Sequence, residues 1–199
     1  MGPEHRFPGE EGWISHHQSM RIPGRLEILE KPNFLHPSVV EFYISMMTGM
    51  GSANVHGDQG SRRAECTWVR RPHLEDLGCR SSILAILGSG VGDMEPTQLV
   101  RYPVGGFYGP HYDFFAGDVL LSKGYQRIWT CLAYLNDDFV GGETVIGGRT
   151  IVPEKGKLVI WNNILEDGSP CMESIHESLA NERTEKMIAI TWIVKKVIV

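Results

Sequence analysis

The apolar positions change period along the chain. In PNFLHPSVVEFYISMMTGM, Phe34, Leu35, Val39, Val40, Phe42, Tyr43, Met46 and Met47 recur at helical spacing and predict a helix starting near Pro37 or Ser38. Its methionines read as core filler. A loop with Gly and Asn and the short apolar run CTWV follow. RPHLEDLGCRSSILAILGSGVG then predicts a second helix with a Gly-rich stop. After Asp93 the period shortens. TQLVRYPV, FYGPHYDFF, RIWTCLAYLN, ETVI, RTIV, KLVIWN, CMESIHE and EKMIAITWIV are short β-rich segments parted by turn signals such as VGG, AGD, NDD and EDGSP. Two helices followed by these strands predict an α+β, mainly β, fold: a double-stranded β-helix (jelly-roll) barrel buttressed by N-terminal helices. Residues 1–24, rich in Gly, Pro and His, read as an extended arm. Residues 25–199 read as a single domain, with a helical front over 32–92 and a jelly-roll core over 97–195.

Composition narrows the class. At 199 residues, 42% hydrophobic and 22% charged, the chain suits one globular core. A net charge of -5 gives no global attraction for nucleic acid or an anionic membrane. Arg62, Arg63, Arg70 and Arg71 form the densest basic cluster and read as a solvated face; His5, His16 and His17 read as part of a solvated tail. No apolar run reaches membrane-spanning length, and MGPEHRFPGEEGW lacks the apolar core of a signal peptide. Cys66, Cys79, Cys131 and Cys171 show no CxxC spacing and read as thiols in a reducing, cytoplasmic setting.

FYGPHYDFF carries the candidate chemistry. It sets His111 and Asp113 two residues apart, and on a strand such residues share a face. A third ligand must come from elsewhere, and His176 in CMESIHE is the candidate. Two imidazoles and one carboxylate on one face of an octahedron leave three positions open, as in non-haem iron(II) oxygenases. The HxD spacing arises often by chance, and a single strand histidine is commonly a hydrogen-bonded structural residue. Lys186, ten residues past His176, sharpens the reading: EKMIAITWIV surrounds it with apolar residues. A buried lysine needs a partner, and a carboxylate is the natural one. The plainer alternative is a surface lysine at a strand end.

RYPVGGFYGPHYDFF, then QRIWTCLAYLNDDFVGGET, then H-x9-K resemble the catalytic domain of prolyl 4-hydroxylases, a branch of the Fe(II)/2-oxoglutarate dioxygenases. FLHPSVVEFY, SRRAECTWV and MEPTQLVRY resemble that family's helical front half. The resemblance implies that His111, Asp113 and His176 bind Fe(II), with 2-oxoglutarate and O2 as cosubstrates and ascorbate as a reductant. It implies that Lys186 salt-bridges the distal carboxylate of 2-oxoglutarate, that Tyr102 hydrogen-bonds the same group, and that Thr144 contacts the cosubstrate. Tyr134 is a further candidate for that contact, with strand-core packing an equal alternative. Arg127, in QRxxT, resembles an arginine that faces substrate; Trp161 and Trp192 read as barrel core. The implied reaction hydroxylates an unactivated C–H bond and releases succinate and CO2. Halogenases of this kind replace the carboxylate ligand, so Asp113 argues for hydroxylation, or for desaturation or ring formation.

Two substrates are weighed: a small molecule, meaning a free amino acid or biosynthetic intermediate, and a proline residue in a peptide or protein. Three departures favour the small molecule. HESLANERTEK carries Ala180 and Thr184 where the family commonly has Pro and Gly, AGDVLLSKGY is short for a lid over a peptide, and no separate peptide-binding domain is present. A catalytically silent jelly-roll module is expected to lose Lys186 or a ligand, and all four are kept. A Cys-His hydrolase finds no cysteine in a nucleophile-like turn.

Overall fold

The computed structural model describes residues 22–48, 60–69, 79–88 and 92–197. Most of the expected N-terminal arm, with His5, His16 and His17, lies outside the described residues, as do Arg70 and Arg71. Helix α1 (Pro37–Met47) starts where expected. Pro37 opens it, and His36 caps it by accepting from the Ser38 N–H at 3.3 Å. It buries Val39, Val40, Tyr43 and Met47 along one stripe. Helix α2 (Cys79–Leu87) buries Ile83 and Leu87. No helix among the described residues is long and apolar enough to cross a membrane.

Two antiparallel sheets follow. The larger runs in the order β1 (Ile28–Lys31), β11 (Leu158–Asn162), β7 (Tyr125–Tyr134), β14 (Lys186–Lys196), β5 (Thr97–Tyr102) and β3 (Glu65–Val69), and β4 (Asp93–Met94) pairs with β14. The smaller is ordered β10 (Arg149–Ile151), β9 (Thr144–Ile146), β12 (His176–Ser178), β6 (Phe107–His111) and β2 (Arg62–Arg63). A short pair, β8 (Val140–Gly141) with β13 (Asn181–Glu182), joins their ends.

Residue parity divides the larger sheet into two faces. Leu99, Trp129, Cys131, Ala133, Leu158, Ile160, Ala189 and Ile193 pack with Val39, Val40, Tyr43, Ile83 and Leu87 of the helices. Val100, Tyr102, Leu132, Tyr134, Val159, Trp161, Ile188, Ile190 and Trp192 form a second core with Ile146 and Ile151 of the smaller sheet. Both faces are buried, so these strands read as near-continuous apolar runs.

The jelly-roll expectation holds, with two corrections. The front over 32–92 is not purely helical: β2 and β3 interrupt it and extend both sheets, Arg62–Arg63 pairing with β6 and CTWV with β5. AGDVLLSKGY is not a plain loop. It forms helix α3 (Gly117–Lys123), which buries no residue and so shows no apolar period, and Gly124 ends it at φ 68°. The second helix is described only from Cys79, and the expected residues before it lie outside the described ones.

One turn is pinned by glycine. Gly141 and Gly142 have φ of 69° and 67°, and a Cβ at Gly141 would lie 2.6 Å from the Ala180 carbonyl oxygen. That oxygen also accepts the Gly142 N–H at 3.0 Å. Gly141→Ala is expected to cost about 2 kcal/mol or more of stability. Denaturant unfolding measures this, and an unchanged midpoint would mean that the turn relaxes freely.

Candidate active site

His111 and His176 face each other across the β6–β12 ladder as Cα partners. Two residues of β12 then match three of β6, since Ser178 pairs with Tyr108. This is a β-bulge at Gly109 and Pro110, where Pro lacks the N–H that a regular ladder needs. The bulge brings Tyr108 and His111 to the same face, with their rings stacked at 3.6 Å between centroids. Without it, residues three apart would point to opposite faces. The Nδ1–H of His111 donates to Gly109 O at 2.8 Å, and that of His176 to Ser174 O at 2.9 Å. Each Nε2 is thereby left as the ligand atom. Burial, and then the neighbouring His176, pulls the His111 pKa down to about 4, so the ring is neutral at pH 7.

Asp113 lies two residues past the end of β6, not within the strand. Its Oδ2 is 3.4 Å from His176 Nε2 and accepts the Thr130 hydroxyl at 2.7 Å. Thr130 in turn accepts Asn163 Nδ2 at 2.8 Å. Burial would push the Asp113 carboxyl up, but His176, His111, Trp192 and Arg127 together hold its pKa below the usual value. The three side chains offer ligand atoms that all lie within 4.8 Å of one another. Two imidazole nitrogens and one carboxylate oxygen suit a divalent iron ion.

Lys186, on β14, is 0% exposed. Its ammonium donates to Gly142 O at 2.7 Å, Ser178 Oγ at 2.8 Å and Thr144 Oγ1 at 3.4 Å. No carboxylate among the described residues pairs with it, so the protein partner expected for a buried charge is missing, and a ligand carboxylate fits. Burial pulls its pKa down to about 7, and Glu143 partly restores it. Tyr102, the Cα partner of Lys186, sets its ring 5.1 Å from the ammonium. Burial pushes the Tyr102 pKa up to about 12, keeping its hydroxyl protonated. Tyr134 spends its hydroxyl on Thr144 Oγ1 at 2.8 Å, and so braces that threonine.

A second bulge aims Arg127. On β7, Trp129 pairs with Ile193 but Arg127 with Val194, leaving Ile128 without a partner in β14. Arg127 thus returns to the inner face, stacked 3.6 Å over Trp192 and held by Glu95 at 2.7 and 2.8 Å. One cavity of about 700 Å³, open to solvent, is lined by His111, Asp113, His176, Lys186, Tyr102, Thr144 and Arg127. Trp192 lines it too, in addition to packing in the core. Trp161 packs edge-on against His176 at 4.9 Å.

Residues 97–194 match the model of the 2OG-Fe(II) oxygenase superfamily. The chain belongs to that superfamily. This oxygenase is 34% identical to prolyl 4-hydroxylase 1 of Arabidopsis thaliana over 140 residues, 63% of this chain and 49% of that protein. It is 32% identical to prolyl 4-hydroxylase subunit alpha-1 of Homo sapiens, over 67% of this chain and 26% of that protein. The chain therefore spans about half of the plant relative and about a quarter of the human one. Its fold matches the viral collagen prolyl hydroxylase of Paramecium bursaria Chlorella virus-1, solved with 2OG, at TM-score 0.68 and 24% identity, over 85% of this chain and 96% of that one. A prolyl-4-hydroxylase of Pseudomonas putida matches at TM-score 0.62 and 20% identity, over 85% and 92%.

The oxygenase thus brings every sequence-predicted site residue to one cavity or, for Tyr134, directly behind it. Sequence reasoning passed over Thr130, Asn163, Ser178, Tyr108 and Glu95. Ser178 was findable, lying two residues after His176 on the same face; Asn163 is tied to Thr130 only through the fold. Thr130→Val is expected to weaken Fe(II) or Mn(II) binding about tenfold, since groups behind metal ligands carry effects of that order. Anaerobic metal titration measures this, and undiminished affinity would remove Thr130 from the support of Asp113.

Proposed function

We propose that this oxygenase is an Fe(II)- and 2-oxoglutarate-dependent prolyl hydroxylase acting on a proline residue in a peptide or protein. The observation that carries the reaction class is Lys186, a buried cation that no carboxylate among the described residues pairs with, in the same cavity as two imidazoles and a carboxylate. His111, Asp113 and His176 would hold the metal on one face and leave the opposite face for ligands. Lys186, with Thr144 and Tyr102 beside it, would fix the far carboxylate of 2-oxoglutarate. When bound, iron and 2-oxoglutarate supply the oxidation: one oxygen atom of O2 enters the substrate C–H bond, the other enters succinate, and CO2 leaves. Leu132, Ile188 and Ile190 line the cavity and limit water there. Arg127, fixed by Glu95, is the candidate for orienting substrate.

The relatives' names favour a prolyl substrate, and two grounds for the small-molecule expectation weaken. AGDVLLSKGY contains a helix rather than a bare short loop. Ala180 and Thr184 serve the turn before β14: Ala180 O accepts from Gly142, and the Thr184 hydroxyl donates to Asp138 O at 3.1 Å. A cytoplasmic setting belongs to the same proposal, supported by the buried thiols of Cys131 and Cys171, which have no disulfide partner among the described residues.

Asp113→Ala is expected to abolish succinate formation from 2-oxoglutarate; retained turnover would sink the metal assignment. Lys186→Ala is expected to raise the 2-oxoglutarate requirement about 10- to 100-fold, the worth of a charge-assisted hydrogen bond, with a smaller effect on metal binding. Affinity for 2-oxoglutarate should also depend on pH. The carboxylate needs Lys186 protonated, and the free protein loses that proton as pH rises through about 7. Affinity is therefore expected to fall about tenfold per pH unit above that point, up to the higher pKa of the complex. Calorimetric titration between pH 6 and 9 tests this, and a flat profile would show that Lys186 keeps its charge throughout.

A further inference from the structure

A second cation in the cavity has no anion among the described residues. Arg62, on β2, is 8% exposed, the only arginine in the buried class among the described residues. Its Nε is buried without a hydrogen-bond partner among the described residues. Arg101, Arg127 and Arg149, all less buried, each pair with a glutamate. Arg62 instead lies 4.6 Å over the Tyr108 ring, which stacks on His111. The cavity's two carboxylates do not serve it: Asp113 faces His176 and Thr130, and Glu177 forms no ion pair with Arg62. Leaving a buried guanidinium donor unpaired costs several-fold more than an ordinary lost hydrogen bond, so the site favours any ligand that supplies an acceptor.

The charge balance says which ligand. On the proposed function, the far carboxylate of 2-oxoglutarate belongs to Lys186 and the near one to the metal, so both cosubstrate anions are accounted for. We propose that Arg62, stacked on Tyr108 beside the metal ligands, is a subsite for a carboxylate carried by the substrate. This rests on the prolyl hydroxylase reading and narrows it: the preferred target is a proline flanked by an acidic side chain or bearing a free C-terminal carboxylate. Guanidinium–carboxylate pairing is bidentate and strong in a partly dry site, and a lysine would reproduce the charge but not the fork.

The test compares blocked pentapeptides centred on proline, with alanine, aspartate or glutamate on either side, and the same neutral peptide ending at proline with a free carboxylate. Hydroxyproline is measured by mass spectrometry with the Fe(II)-loaded protein. At least one carboxylate-bearing series is expected to exceed the neutral peptide about tenfold or more in kcat/KM, and the better series tells side chain from C-terminus. Arg62→Met is expected to bring that ratio close to one, and Arg62→Lys to restore part of it. Equal use of neutral and acidic peptides, a ratio unchanged in Arg62→Met, or a 2-oxoglutarate requirement that rises in the variant by the same factor would each overturn the subsite. If 2-oxoglutarate is consumed but no peptide gains a hydroxyl, the prolyl reading fails, and binding then decides the subsite alone. Anaerobic titration with Mn(II) and 2-oxoglutarate bound should show N-acetylproline, or a blocked proline peptide with an aspartate or glutamate neighbour, binding about tenfold tighter than its neutral counterpart, a preference lost in Arg62→Met; equal binding in both comparisons would sink it.

Discussion

The cost of burying one ammonium group organises this molecule. Lys186 is wholly removed from water on the inner face of β14, and such a charge persists only where polar atoms are built around it. Those atoms come from the smaller sheet and the turn that leads into it: Gly142 O from the turn after β8, Thr144 Oγ1 from β9, and Ser178 Oγ from β12. Each makes its own demand. The turn needs two residues at positive φ, Thr144 needs the hydroxyl of Tyr134 behind it, and Ser178 needs β12 aligned on β9. Once β12 is so placed, His176 at its start stands opposite His111. The proposed anchor for an anion and the proposed cradle for a metal are consequences of one strand alignment.

The two bulges perform the complementary task. A regular strand delivers side chains to one face every second residue, and that supply is too sparse for a site that needs neighbouring groups in the same space. The extra residue in β6 puts Tyr108 under His111, and the extra residue in β7 turns Arg127 inward beside Trp192. Bulges near functional sites re-aim side chains in this way.

The residues proposed to hold metal and cosubstrate were legible because they sit in short linear patterns: His111 and Asp113 two apart, His176 and Lys186 ten apart, Thr144 after a double glycine. The strands of the larger sheet were legible for the same reason, as apolar runs of β-branched and aromatic residues. The bulges were not, because one extra residue in a strand leaves no mark in composition. Helix α3 was hidden by its lack of a buried face, with Val119 and Leu121 more than half exposed. Arg62 was read as part of a solvated basic face. Its burial depends on pairing with Tyr108, 46 positions away, and no local pattern of charge reports that.

The parity of β14 has a consequence for how the gene can change. Lys186, Ile188, Ile190 and Trp192 face the cavity, while Ala189 and Ile193 face the helices. Removing or adding a single codon between Lys186 and Ile188 would swing the ammonium into the layer of Val39, Tyr43 and Leu99, where nothing polar is built to receive it. Substitutions and longer loops are open to this chain. Single-residue insertions and deletions in its last long strand are not, and over descent this strand should lengthen or shorten only by pairs.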